Sequence, residues 1–285
     1  MNVALHNGSR GAVAIDFHPD QSFARRQLLA MRDMREAAGL WRLCLTLAWL
    51  DIRLRYRGSV LGPFWLTLST ALMIGSMGVL YSALFGMKLS EYMSFLALSL
   101  VLWGFLSALV TEACTAYTSD ENIIRSMRVA YSLYPVRVVV RNLVVLAHNV
   151  VVVVLVDLLL WTWPGQDALL AVPGLLLWLV DGVAVGLLLG PLCARFRDIP
   201  PIVASLMQIA FFISAVIWKP SQLGEHEWMM AFNPVFALLE IVRAPLLGQA
   251  PSAAIYLSAL LFSALLCGAA WLLFVRVRGR IAFWV

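Results

Sequence analysis

The chain alternates long apolar runs with short polar joints. Six runs reach the roughly 20 residues that a helix needs to cross about 30 Å of hydrocarbon. They lie near 61–86, 92–117, 136–163, 168–194, 199–218 and 252–275. Gly62-Pro63 reads as the helix start of the first run, and Asp198 as a cap ahead of Pro200 and Pro201 in the fifth. Upstream, from about Arg26 to Arg57, Leu40, Leu43, Cys44, Leu47, Leu50 and Leu54 share one helical face while Arg42, Thr46, Arg53 and Arg57 follow another. This pattern predicts an amphipathic helix on the membrane surface, occupying 26–59. Residues 1–25 carry no period and read as a flexible cytoplasmic tail. The stretch 219–251 is too apolar for an exposed loop, yet it is broken by Asn233-Pro234 and Pro245. It predicts two short helices on the outer side, the second capped by Asn233 and opened by Pro234.

The fold class is therefore an all-α integral membrane protein of six spans, with residues 60–285 as the membrane domain. Composition agrees: 62% of the 285 residues are hydrophobic and 13% charged, against about 45–50% and 25% in soluble proteins. The formal charge of +5 suggests nucleic acid until its distribution is considered. With the N-terminus inside, every Arg and Lys except Lys88, Lys219 and Arg243 falls on the cytoplasmic side. That asymmetry orients the chain with both termini cytoplasmic and accounts for the charge without a nucleic-acid partner. No cleavable leader is visible, so the first span is expected to act as the insertion signal. Cys44, Cys114, Cys193 and Cys267 lie in or beside apolar stretches without metal-ligand spacing.

Catalytic patterns are missing. Lys88 and Lys219 are the only lysines, and neither lies in a Gly-rich loop, so the chain can build no P-loop cradle for ATP. No cofactor site is expected. No helix-borne zinc motif or nucleophile elbow occurs. The chain's two halves do not echo each other, which speaks against a secondary transporter built of inverted repeats. The ionisable residues inside the runs are Glu112, Arg141, His148, Asp157 and Asp181. They suit either a proton relay or interhelical pairing, and pairing of Glu112 with Arg141 near the inner face is favoured. The inner loop Asp120-Glu121-Asn122-Ile123-Ile124-Arg125, continuing through Met127 and Arg128, predicts a short surface helix capped by Ser119 or Asp120.

The stretch from Asp51 through Arg53, Arg55, Tyr56 and Arg57 to Gly62-Pro63-Phe64-Trp65 resembles the entry to the first span of ABC-transporter permeases that export polysaccharides. Tyr81-Ser82-Ala83-Leu84-Phe85-Gly86 resembles the exit of that span. Arg195-Phe196-Arg197-Asp198-Ile199 is similar to the loop before the fifth span. Asn233-Pro234, Arg243 and Leu247-Gly248 resemble the outer gate segment. The pieces occur in family order from about residue 40 to the end. The chain departs from the pattern where the family has a Thr-Pro pair. Here Ser214-Ala215 is followed by Trp218-Lys219-Pro220.

The resemblance implies a homodimer in the bacterial inner membrane, bound to two copies of a separate ATPase that carries ATP and Mg. It exports O-antigen, capsule or teichoic-acid type polymer, often linked to undecaprenyl diphosphate. It further implies that 119–128 couples to the ATPase and that the Arg53–Arg57 region is an interfacial gate helix. By the same resemblance, helices near 225–247, with Trp228, Asn233, Pro234 and Arg243, are expected to form the outer gate. Tyr81, Phe85, Phe211, Phe212 and Trp218 are candidates for the flat aromatic surfaces on which sugar rings slide. Other readings are a drug or lipid exporter of similar architecture, and a membrane-embedded glycosyl- or acyltransferase using Glu225, His226 and Glu227.

Overall fold

The computed structural model describes residues 22–55, 57–58 and 64–285, and within them every regular element is helical. Two helices lead in, α1 (Phe23–Gly39) and α2 (Trp41–Arg55). The pattern over 26–57 predicts one helix. The chain instead breaks at Leu40, whose N–H closes on the Glu36 and Ala37 carbonyls, just after Gly39, a poor helix former. Residues 23–25, assigned from sequence to the tail, already belong to α1, capped by Ser22 Oγ. The tail over 1–21, Tyr56 and the Gly62-Pro63 start signal lie outside the described residues.

The chain continues through α3 (Phe64–Leu84), α4 (Leu89–Ala113), α5 (Glu121–Ser126), α6 (Leu133–Leu160), α7 (Ala171–Arg195), α8 (Ile199–Ile213), α9 (Pro234–Leu246), α10 (Ala253–Val277) and α11 (Ile281–Trp284). Of these, α3, α4, α6, α7 and α10 are long and apolar enough to cross a membrane. α4 is the central helix: 72% of its apolar stretch is buried, against 22–33% in the other four. Leu80 and Leu84 of α3, Leu155 and Leu159 of α6, and Leu261 and Leu265 of α10 remain exposed, as side chains facing lipid do.

The fifth run behaves differently. The pattern predicts a span over 199–218, but α8 ends at Ile213 after 15 residues, a rise of about 22 Å. Asp198 stands at its N-cap position but makes no side-chain cap bond. After α8 the backbone turns through Ala215, at a φ of 51° that a residue with a Cβ rarely adopts. A 3-10 stretch, Pro220–Phe232, kinked at Gly224, then meets α9 at 112°. α9 is drawn into the bundle, with Phe236 through Leu239 and Ile241 through Pro245 all buried.

Close packing of α7 depends on glycine. A Cβ at Gly186 would lie 2.6 Å from Pro135 Cβ, and one at Gly190 would lie 2.7 Å from the Tyr117 ring. Small residues let membrane helices approach closely, and there van der Waals contact drives association. Gly186→Ala is expected to cost about 1–3 kcal/mol, because the Pro135 ring cannot swing aside. Thermal unfolding of the purified chain in detergent measures it, with Gly279→Ala, which has open space around it, as the silent control.

Candidate functional site

At the inner end of the bundle, charged side chains from four segments converge. Arg137 and Arg141 stand one turn apart on the same face of α6. Arg137 Nε donates to Asp51 Oδ2 of α2 at 2.7 Å, and its Nη2 donates to Asp51 Oδ1. Its Nη1 donates to both Asp120 oxygens, at 3.1 and 3.0 Å. Arg141 bridges Asp51, at 3.1 Å, and Glu112 of α4, at 2.7 Å. Arg55 Nη2 and Asn142 Nδ2 complete the Glu112 carboxylate at 2.9 and 2.7 Å. Three guanidinium groups thus face three carboxylates. Arg137, Arg141, Asp51 and Asp120 are only 12–16% exposed, so each unpaired charge would carry a desolvation cost of several kcal/mol.

The Glu112–Arg141 pair is the one the sequence favours. Asp120 differs: it precedes α5 but does not cap it, because both its oxygens are taken by Arg137. Burial holds its carboxyl above the ordinary value, while Arg137 pulls it the other way. Among the described residues, Asp157, Asp181 and His148 are not joined to one another by hydrogen bonds. Asp181 accepts from Ser263 Oγ at 2.6 Å, Asp157 from Ser94 and Thr162, and His148 Nδ1 donates within its own helix to Val144 O.

The segment 118–128 is a 3-10 turn followed by α5. Ile124 is buried among Ala30, Tyr117 and Ile281, which seats the helix. Arg125 pairs with Glu121 at 2.7 Å and reaches the Val285 backbone oxygen at 2.6 Å. Asn122, Arg128 and Met127 (63% exposed) face outward, while Ile123 is half-buried. Arg53 and Arg57 are exposed on the adjoining α2 end.

Asp33 and Asp51 are absent from the sequence-derived sites. Asp33 is 1% exposed and accepts from the Tyr131 and Ser132 N–H groups, from Ser132 Oγ and from Arg278 Nε. It thereby ties α1 to the chain just beyond α5. Two signals were available. Asp33 shares a helical face with Ala30 and Ala37, and Asp51 is the single acid in the Arg-rich stretch 42–57.

At the outer end, the break after α8 frees backbone carbonyls that other elements capture. Asn233 Nδ2 donates to Ile213 O and Ser214 Oγ, both at 3.1 Å, while its Oδ1 caps α9 through the Val235 and Phe236 N–H groups. Arg243, fully buried, donates to Ala215 O at 2.7 Å, Ser99 Oγ at 2.9 Å and Glu240. Its guanidinium also lies 4.6 Å from the Phe95 ring centre. Tyr92 Oη donates to Ile217 O at 2.7 Å, and Trp218 Nε1 to Phe212 O at 2.9 Å. Pro234 opens α9, and Trp228, 64% exposed, meets Phe232 edge-on.

Among the five aromatic candidates two ring pairs form, Tyr81 with Phe85 at the end of α3 and Phe211 with Phe212 on α8, the latter edge-on at 5.2 Å. Tyr81 stacks on Phe85 at 5.6 Å, and Phe85 meets Tyr92 edge-on. Phe211 packs against Trp103, and Trp218 is half-buried on the outer bend. Phe212 alone among them is exposed, at 65%. Glu225, His226 and Glu227 are all exposed on the outer 3-10 stretch.

The pattern of the ABC-2 type transporter family matches residues 42–247, from α2 through the end of α9. The O-antigen export system permease protein RfbA of Myxococcus xanthus is 24% identical over 217 residues, covering 75% of this chain and 84% of that protein. The family match takes in the inner charged hub and the outer bend alike, and this protein belongs to the ABC-2 type transporter family.

Proposed function

We propose that the chain is the transmembrane subunit of an ATP-driven exporter. Its cargo is a lipid-linked cell-surface polysaccharide of O-antigen type, moved from the cytoplasm to the outer side of the bacterial inner membrane. Two copies form the path, α8 with the outer bend completes a sixth crossing, and both termini are cytoplasmic. Two copies of a separate ATPase bind ATP and Mg and push on the 119–128 segment. The Arg53–Arg57 region gates the inner interface, and the segment 225–247 gates the outer one. The aromatic residues Tyr81, Phe85, Phe211, Phe212 and Trp218 contribute apolar faces to the path.

The observation that carries the coupling is the fixing of Asp120 by Arg137, and of Arg137 by Asp51. A push on α5 is thereby delivered to α2 and α6 at once, through charged hydrogen bonds stronger than neutral ones. The polysaccharide assignment is supported by the similarity to the Myxococcus xanthus permease.

Deleting the chain is expected to trap lipid-linked polymer on the cytoplasmic side, seen by fractionating cells and staining the lipid fraction. Normal polymer at the surface together with new drug sensitivity would replace this reading with drug or lipid export. Complete loss of polymer would restore the transferase reading.

A further inference from the structure

We propose that the inner side of the protein binds one acyl chain of an anionic phospholipid, in a cavity between α2 and the 118–128 segment. The cavity measures about 160 Å³. Leu43 and Leu47 of α2 form one wall, Ile123 and Met127 a second, and Val129 and Leu133 the floor leading into α6. The surface facing it is apolar throughout. Arg137 also borders it, but its guanidinium is taken by Asp51 and Asp120, which leaves only its hydrocarbon stem to the wall.

The recess is open, since Leu43 and Met127 of its lining are exposed, but it offers water none of the two to four polar partners that an ordered water needs. An engineered cavity of about 150 Å³ lined by aliphatic and aromatic groups stays dry and takes benzene. Here there is room for about six carbons on the same scale. The occupant follows from the surroundings. α2 leaves Trp41, Leu45, Trp49 and Leu50 exposed while it buries Cys44, Ala48 and Ile52. A helix with large apolar and aromatic side chains on its outer face belongs at headgroup depth in a bilayer. The nearest hydrocarbon is therefore lipid. Arg42 adjoins Leu43, and Arg128 lies between Met127 and Val129. Both are exposed, and among the described residues neither pairs with a carboxylate. Two exposed cations next in sequence to lining residues, Arg42 stacked over the Trp41 ring at 5.3 Å and Arg128, complement a negative headgroup joined to a hydrocarbon tail.

The test uses the full chain in phosphatidylcholine nanodiscs containing phosphatidylglycerol with a diazirine at the acyl terminus. After irradiation, labelled residues are mapped by mass spectrometry. Label is expected at Leu43–Leu47 and at 123–133. Leu47→Trp, which fills the cavity, is expected to cut that label roughly tenfold without altering label on Leu261 and Leu265. Met127→Trp, made at an exposed position, provides the same test if Leu47→Trp does not fold. Arg42→Gln with Arg128→Gln is expected to abolish the preference over phosphatidylcholine of equal chain length. Label spread evenly over Trp49, Leu50 and the cavity residues, and indifferent to both tryptophans, overturns the proposal. So does label displaced by polyprenyl phosphate but not by unlabelled phosphatidylglycerol.

Discussion

Arg243→Met is expected to destabilise the protein by about 3–5 kcal/mol, the range for breaking a buried ion pair by removing one partner. Arg243 is fully buried, and Glu240 is 14% exposed beside it. Without the guanidinium, the Glu240 charge has no partner, and the Ala215 carbonyl and Ser99 hydroxyl each lose a bond. The Ala215 turn itself is held in a sparsely populated conformation, so it persists only while its surroundings over-determine it. Arg243→Lys is expected to rescue little, since one ammonium cannot reproduce the guanidinium fork. Adding Glu240→Gln to Arg243→Met is expected to recover part of the loss by removing the stranded charge. Thermal unfolding in detergent across these variants is the measurement. Equal melting of Arg243→Met and the parent would show that Arg243 does not hold the outer bend.

The second large effect is expected at Arg137. Arg137→Gln strands Asp120 and leaves Asp51 with Arg141 alone. The same reasoning places the stability cost at about 3–5 kcal/mol. On the proposed function, a second consequence follows: ATP hydrolysis continues while polymer exported per ATP falls roughly tenfold, a coupling energy of about 1.4 kcal/mol. Arg137→Lys keeps the charge and is expected to restore folding more fully than export, because a single ammonium cannot hold Asp51 and Asp120 together. Measuring hydrolysis and export on the same membrane vesicles separates the two losses. A proportional fall in both would mean that Arg137 only supports the fold.

Much of the architecture is visible in one dimension because lipid imposes one-dimensional rules. A span must be apolar over about 20 consecutive residues, so the runs that become α3, α4, α6, α7 and α10 stand out within a few residues. The same rule misleads at residues 214–218, which are apolar enough to extend α8. There the helix ends because Asn233, Arg243 and Tyr92, distant in sequence, capture the carbonyls that a continuing helix would have used. The capping role of Asn233 was legible, since Asn-Pro ahead of an apolar run is a local signal. The role of Arg243 was legible only as a location.

Charges divide in the same way. The distribution of Arg and Lys along the sequence carries the expected orientation, and the positions of Glu112 and Arg141 near one end of neighbouring runs suffice to suggest their pairing. Asp120 looks like a helix cap because capping is a local preference of a few residues. It serves Arg137 because, in a partly buried site, a guanidinium outcompetes a backbone N–H for a carboxylate. Asp33 carries no mark beyond its spacing from two alanines. Its four donors come from two segments about 98 and 245 positions away, and only the folded chain gathers them. The sequence by itself thus determined which stretches are apolar enough to leave water and where along the chain their charges cluster, since desolvation acts on each residue in turn. The tertiary structure alone decided which charge meets which, where the fifth apolar helix stops and which side chains line the inner cavity, since those depend on contacts between segments that no local preference encodes.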